Sequence, residues 1–330
     1  MRLKLVPDNT EINFFSKIRY SLFISVSFLI ISILAYFIFG LNYGIDFRGG
    51  TLLMIKSEKA TSISDYRSVL REINVGDFSV TEISSPASKI SGGIIGDEAP
   101  IVLVRIEQAD NEDSVQNDLI IAVKSKLEVK FPGIVFLQTD SVGAKVSKEL
   151  VRKGVISVLF AVAAVLFYIW IRFEWQFALG AVVALIHDVI ITLGIFAILS
   201  LEFNLSIIAA LLTIVGYSLN DTVIVFDRIR ENLKRFKSKP LVELLNLSVN
   251  ETLSRTLMTS VTTLLALASL YFLGGDVLRG FTFAMIWGVL IGTFSSIFVA
   301  APILIMFGVK RDWSKPDGEA GTQFSQQKIK

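Results

Sequence analysis

The stretch LSIIAALLTIVGYSLNDTVIVFDRIREN, Leu205–Asn232, decides the fold class. Most of it is apolar enough for lipid, an acid stands inside the apolar run at Asp221, and a basic sequence closes it. A segment crossing ~30 Å of hydrocarbon needs roughly 20 such residues, so the run 205–226 reads as a membrane span. Five further runs of that kind lie at 18–39, 154–171, 177–199, 257–273 and 281–307, and the last is long enough to tilt or to trail along the interface. The 330-residue chain is 52% hydrophobic, more than an ordinary soluble domain carries.

The remaining composition excludes several functions. There is no cysteine and a single histidine, His187, so disulfides, thiolate metal sites and histidine-rich metal sites are out. No nucleophile–base pair, metal cluster or phosphate loop is visible, so no enzyme, cofactor, metal or nucleic-acid partner is expected. Lys17 and Arg19 precede the first run as in a signal sequence. The run is longer than a signal core, however, and no small-residue cleavage site follows it, so it reads as a retained anchor.

Basic residues orient the chain. Arg2, Lys4, Lys17 and Arg19 precede the first span. Arg228, Arg230, Lys234, Arg235, Lys237 and Lys239 follow the fourth, and Lys310, Arg311 and Lys315 follow the sixth. The short opposite loops hold only Arg279. With six spans the three basic regions share the cytoplasmic side. The expected division is a cytoplasmic N-terminus at 1–17, one span, a periplasmic domain at 40–152, a five-helix block at 153–309 and a cytoplasmic tail at 310–330. The basic run DRIRENLKRFKSKP, 227–240, reads as an amphipathic helix or loop drawn to anionic lipid.

Within 40–152, GTLLMIKSE alternates like a strand, SISDYRSVLREI has helical spacing, and FSVTEIS and PIVLVRIE read as two strands. NEDSVQNDLIIAVKSKLEVKF is again helical and IVFLQTD closes as a strand. The order βαββαβ predicts a ferredoxin-like α+β domain, with SSPASKISGGIIGDEAP, 84–100, as a mobile loop between the middle strands.

The polar residues inside the spans carry the chemistry. A charge at bilayer depth costs roughly 2.5–3.5 kcal/mol on insertion scales, so it faces a partner or a wet cavity. Thr213, Tyr217 and Asp221 fall on one face of the fourth span, with Asn220 at its border and Thr222 beside it. Arg255, Thr259, Thr262 and Thr263 share a face at the head of the fifth. Asp221 lies ~7 Å inside the cytoplasmic end of its span at 1.5 Å per residue, and Arg255 stands where the next span begins. The two are expected to meet as an ion pair that one proton opens, a relay; the bland alternative is a pair of side chains reaching for the interface. His187 and Asp188 lie ~16 Å into the third span. They are adjacent and expected to point in different directions, Asp188 toward Thr192. Both suit an interhelical pin, and Asp188 also suits the relay. Ala284, Gly288, Gly292 and Ser296 form a small-residue face for close helix packing.

Five motifs, GLNYGIDFRGGT, VGAKVSKEL, HDV, GYSLNDTVIVFDRIREN and ETLSRTLMTSVTTLLAL, occur in this order along nearly the whole chain. Together they resemble the SecF branch of the SecD/SecF family of bacterial Sec translocase subunits, in the RND superfamily. The stretch Gly143–Ser147 departs from the Gly-Pro…Gly pattern usual there. The resemblance implies an RND-like six-helix membrane protein of the inner membrane that pairs with SecD and works beside the SecYEG channel with YajC and SecA. It further implies use of the proton-motive force to help draw a translocating polypeptide across, and it assigns proton conduction to Asp221 and Arg255. The alternative is an RND-type transporter subunit for small molecules or lipids, which would need a larger periplasmic portion and a second set of spans.

Overall fold

The computed structural model describes residues 10–57, 62–73, 75–83, 101–107 and 113–309. The loop expected at 84–100 and the tail at 310–330 lie outside them.

Six helices are long and apolar enough to cross a membrane: Ile18–Phe39, Lys145–Arg172, Trp175–Ile198, Leu205–Arg235, Leu241–Leu273 and Val277–Phe307. The first is α1 (Ile18–Phe39). The other five form the block α5 (Ala144–Arg172), α6 (Trp175–Ile198), α7 (Leu205–Arg235), α8 (Leu241–Leu273) and α9 (Asp276–Ser295). After α9 the sixth span continues through a π-turn, Ser296–Ala300, into α10 (Ala301–Phe307). The helices overrun the apolar runs. The fourth runs unbroken to Arg235 and the fifth begins at Leu241, sixteen residues before its apolar stretch. The apolar run measures the hydrocarbon, whereas the helix ends only where the backbone does, here at the break before Pro240. The basic segment 227–240 is therefore mostly a continuation of α7.

Close backbone approaches seat the spans. A Cβ added at Gly288 would lie 2.3 Å from Ile214 Cγ1, and one at Gly292 would lie 3.0 Å from Ser218 Cβ. The small-residue face of the sixth span thus packs on the fourth, as its spacing predicts, and Ala284 on that face is fully buried. A Cβ at Gly194 would stand 2.2 Å from Ser32 Cβ, which brings α1 equally close to α6.

Between the first two spans the chain folds as an α+β unit: β2 (Gly50–Ser57), α3 (Ile63–Ile73), β3 (Phe78–Ile83), β4 (Ile101–Glu107), α4 (Asp113–Lys130) and β5 (Ile134–Val142). The sheet order is β3-β4-β2-β5, every neighbour antiparallel, as the ferredoxin-like reading requires. Leu53 pairs with Val104 and Ile55 with Val102. These four residues join Tyr66, Val69 and Leu70 of α3 and Val123 and Leu127 of α4 in one core.

Ahead of this unit lies a small structure that the sequence did not announce. β1 (Asn42–Tyr43) pairs in parallel with β6 (Glu202–Phe203) from the loop between the third and fourth spans. A one-turn helix follows, α2 (Ile45–Arg48). Gly49 (φ 75°) and Gly50 (φ 128°) then turn the chain into β2. Both angles lie where a side chain is strained, which is why two glycines stand together here.

Candidate functional site

Three spans are joined by one buried carboxylate. Asp188 on α6 is 1% exposed. Its Oδ2 accepts from Ser218 Oγ of α7 at 2.6 Å and from Ser295 Oγ of α9 at 2.8 Å. His187 Nδ1 stands 3.0 Å from the other oxygen, Oδ1. The adjacent His187 and Asp188 therefore turn toward each other, contrary to the sequence expectation. The Nδ1 nitrogen sits close to the ring's attachment point, so it reaches sideways to the next residue. Two serine hydroxyls donate to this carboxylate and the His187 ring stands against its other oxygen, so both oxygens have partners in a dry interior. Thr192 Oγ donates to the Asp188 backbone carbonyl at 2.7 Å and leaves the carboxylate to the serines.

One turn further along α7 the situation reverses. Asp221 is also 1% exposed, yet neither of its oxygens has a hydrogen-bond partner among the described residues. The hydroxyls of Tyr217 and Thr222 on the same helix, and of Thr256 on α8, are likewise buried without partners. Arg255 does not close the gap. It is exposed on α8, and no hydrogen bond or ion pair joins it to Asp221 among the described residues. The expected contact is thus not made. Thr252, Thr256 and Ser260 on α8 are buried, Ser260 with its hydroxyl 2.8 Å from that of Thr293 on α9, and Arg255, one residue round from Thr256, is exposed. Thr259 donates to the Thr256 carbonyl at 2.9 Å, and Asn220 is exposed.

The outer face of α7 is unusual for a membrane span, and that of α8 is partly so. Within the apolar run the exposed positions of α7 are Ser206, Ala209, Thr213, Gly216 and Asn220, all small or polar. Those of α8 are mixed, with Ser254, Arg255, Thr262 and Ser269 exposed beside the apolar Met258, Leu265, Phe272 and Leu273. By contrast α1 and α5 present Phe23, Phe37, Leu159, Phe160 and Trp170, as lipid-facing helices do.

Beyond the apolar runs the overrunning helices are pinned by polar contacts. Arg228 bonds Glu251 at 2.7 Å and Glu231 at 2.6 Å, and Asn232 donates to Ser248 and Glu251.

Sequence reasoning missed Ser218 and Ser295. Ser218 sits three residues before Asp221, on the same face, and Ser295 beside the noted Ser296, but isolated serines in a span carry no signal until the helices are docked.

Comparison with known proteins defines first a class and then a family. The description "Protein export membrane protein SecD/SecF, C-terminal" matches residues 122–310, and the SecD/SecF GG motif matches residues 37–61, which include Gly49 and Gly50. The protein translocase subunit SecF of Cereibacter sphaeroides is 48% identical, over 98% of both chains. That of Rickettsia felis is 39% identical, over 94% of this chain and 96% of the other. The chain belongs to the SecF family of protein translocase subunits. Among solved structures it is similar to SecDF from Thermus thermophilus, a translocon-associated membrane protein, with TM-score 0.79 and 33% identity over 93% of this chain. A crystal structure of SecDF in a super-membrane-facing form gives TM-score 0.64 and 35% identity. The chain spans about two fifths of the length of each SecDF chain, covering 40%.

Proposed function

We propose that this chain is an inner-membrane subunit of the Sec export machinery that, with a SecD-like partner, uses the proton-motive force to promote polypeptide translocation. Its termini then lie in the cytoplasm and its α+β unit in the periplasm, with SecYEG, YajC and SecA as the wider assembly.

One observation carries the reading: Asp221 is buried with no donor among the described residues, one turn along α7 from Ser218, which donates to Asp188. An unpaired buried carboxylate is costly as an anion and settles by taking a proton. Arg255, fixed as a cation, favours the anion from outside. The balance between burial and this field lets one group exchange a proton where a satisfied one holds its state. Ser218, at hydrogen-bond distance from Asp188 and three residues from Asp221, extends the polar track toward the membrane interior, with Asp188 as a second relay acid. Tyr217, Asn220, Thr222, Thr259 and His187 line or support it.

The small and polar outer face of α7 and the polar positions exposed on α8 support the partner. Asn220 and Arg255 against acyl chains would be expensive, and small or polar helix faces are those that membrane helices use to meet. The solved SecDF chains, which extend well beyond the matched part, are consistent with a second bundle there.

Asp221→Asn tests the function. The variant should insert and assemble in normal amounts, yet lose both proton uptake and the export that an imposed proton gradient drives. Unchanged gradient-driven export at equal expression would overturn the reading.

A further inference from the structure

The fourth span carries Asp221 toward one end, and its other end is tied to the α+β unit by contacts that lie outside the proton site. Leu205 is the first residue of α7, and its backbone N–H donates to Asp46 Oδ2 at 2.9 Å, from α2. The loop's own Asn204 side chain accepts only from Ile207 N, at 3.3 Å. Asp46 thus caps a helix 159 residues away, with its negative charge at the positive end of the helix dipole.

Arg105 adds a second tie. It projects from β4, and its Nη2 bonds Glu202 Oε2 at 2.6 Å in the loop before α7, with only 11% and 26% of the two side chains exposed. Its Nη1 also donates to Asn42 Oδ1 at 3.3 Å and the Tyr43 carbonyl at 3.4 Å. The β1–β6 pairing binds the same two segments, with Gly44 N–H donating to the Phe203 carbonyl at 2.8 Å. A Cβ at Gly44 would lie 2.7 Å from Glu202 Oε1, so a glycine there lets the carboxylate reach Arg105. Phe203 stacks on Phe47 with ring centroids 5.7 Å apart and completes the joint.

We propose that Asp46, Arg105 and Glu202 form a latch that holds the α+β unit to the head of the fourth span and delivers that helix's displacement to the unit. From Asp221 to Leu205 α7 is unbroken, a lever of ~24 Å at 1.5 Å per residue. Without the latch, movement at Asp221 is absorbed in the loop 199–204, and the unit is guided only by its covalent joins at Gly40 and Gly143. The three residues touch neither Asp221 nor Arg255 and act as positioning residues. The inference rests on the proposed proton-driven role of Asp221.

The test is done on the full chain, co-reconstituted with its SecD-like partner and the export channel in vesicles, with an unfolded secretory precursor as the probe. Gradient-driven export, proton uptake and the amount of inserted chain are measured together. Arg105→Glu and Glu202→Arg should each lower gradient-driven export at least about fivefold, the lower end of typical coupling between sites, while proton uptake stays within about twofold of the unsubstituted chain. The Arg105→Glu/Glu202→Arg double should regain export. Asp46→Ala should show the same split, and if it fails to accumulate, Glu202→Gln, which keeps the size and removes the charge, decides in its place. Normal export in the single variants, a parallel fall in uptake, or a double no better than the singles would overturn the latch. Asp221→Asn is run beside them: if it loses export while the latch variants keep it, the latch alone fails, and if it too exports normally, the proton-driven reading falls first.

Discussion

Ser218 donates to Asp188 at 2.6 Å, across from one span to another, while Asp221, three residues on from Ser218, receives no donor among the described residues. One helix face therefore holds one end of a locked polar contact and a carboxylate left open. The difference separates the two acids more sharply than burial, which is the same for both at 1% exposed.

The two acids should respond oppositely to neutralisation. Asp188→Asn gives the two serine hydroxyls a neutral amide oxygen in place of a carboxylate oxygen and sets an NH2 group against the His187 ring. Hydrogen bonds to a charged group are worth ~1.5–3 kcal/mol each, so a loss of at least one such bond is expected, seen as a lower thermal midpoint in detergent. Asp221→Asn breaks no hydrogen bond among the described residues, so its midpoint should hold or rise. A midpoint for Asp221→Asn as low as that of Asp188→Asn would contradict the contrast.

Ser218→Ala and Ser295→Ala should each destabilise by ~1.5–3 kcal/mol. Both serines bond the same oxygen, Asp188 Oδ2, so the effects should not add: the residual partner in each single variant can shorten or recentre its bond. A double-mutant cycle on thermal or denaturant midpoints checks this, and strict additivity would show that the serines act independently.

The small-residue face of the sixth span makes a steric prediction. Gly288→Ala places a methyl 2.3 Å from Ile214 Cγ1, an overlap that forces the fourth and sixth spans apart at a cost of ~1–3 kcal/mol. Ile214→Ala opens the matching space, so the double variant should recover much of that loss. Gly292→Ala meets Ser218 Cβ at 3.0 Å and should be milder in packing, while disturbing the bond from Ser218 to Asp188.

These contrasts bear on what the sequence could tell. Spans were legible because apolar length measures hydrocarbon thickness directly, and the α+β strands because Leu53, Ile55, Val102 and Val104 obey period two. The helix overruns at Arg235 and Leu241 were not, since beyond the lipid an amphipathic helix and a loop share the same polar composition. At the site, Asp221, Arg255 and Asp188 stood out because charge in an apolar run is rare. Which acid was satisfied depended on Ser218 and Ser295, contributed by two other helices. The Asp46 cap of Leu205 and the pairing of Asn42 with Glu202 join segments about 160 residues apart, with separations of 159 for the cap, and no local pattern encodes them.

The GG turn gives a prediction on the backbone alone. Gly49 holds φ 75° and ψ 163°, a region open essentially to glycine, where another residue costs ~1–3 kcal/mol. Gly49→Ala should loosen the turn from α2 into β2, raising protease sensitivity around 42–50 before the core strands are affected. An unchanged digestion pattern would mean that the turn tolerates a side chain by shifting elsewhere.

The outer faces of α7 and α8 give the last prediction. The chain has no cysteine, so a single introduced thiol is its only reporter. Thr213→Cys, Gly216→Cys and Ser254→Cys lie on the exposed polar faces, and Phe160→Cys lies on the apolar face of the second span, where the native ring is 75% exposed. In detergent the chain alone should react with a maleimide at all four positions. Co-assembled with a SecD-like partner, the three polar-face thiols should become protected, because polar faces in membranes are covered by other helices, while the thiol at 160 should label as before. Equal labelling of all four in the assembled complex would place the partner on another surface and leave Asn220 and Arg255 facing lipid.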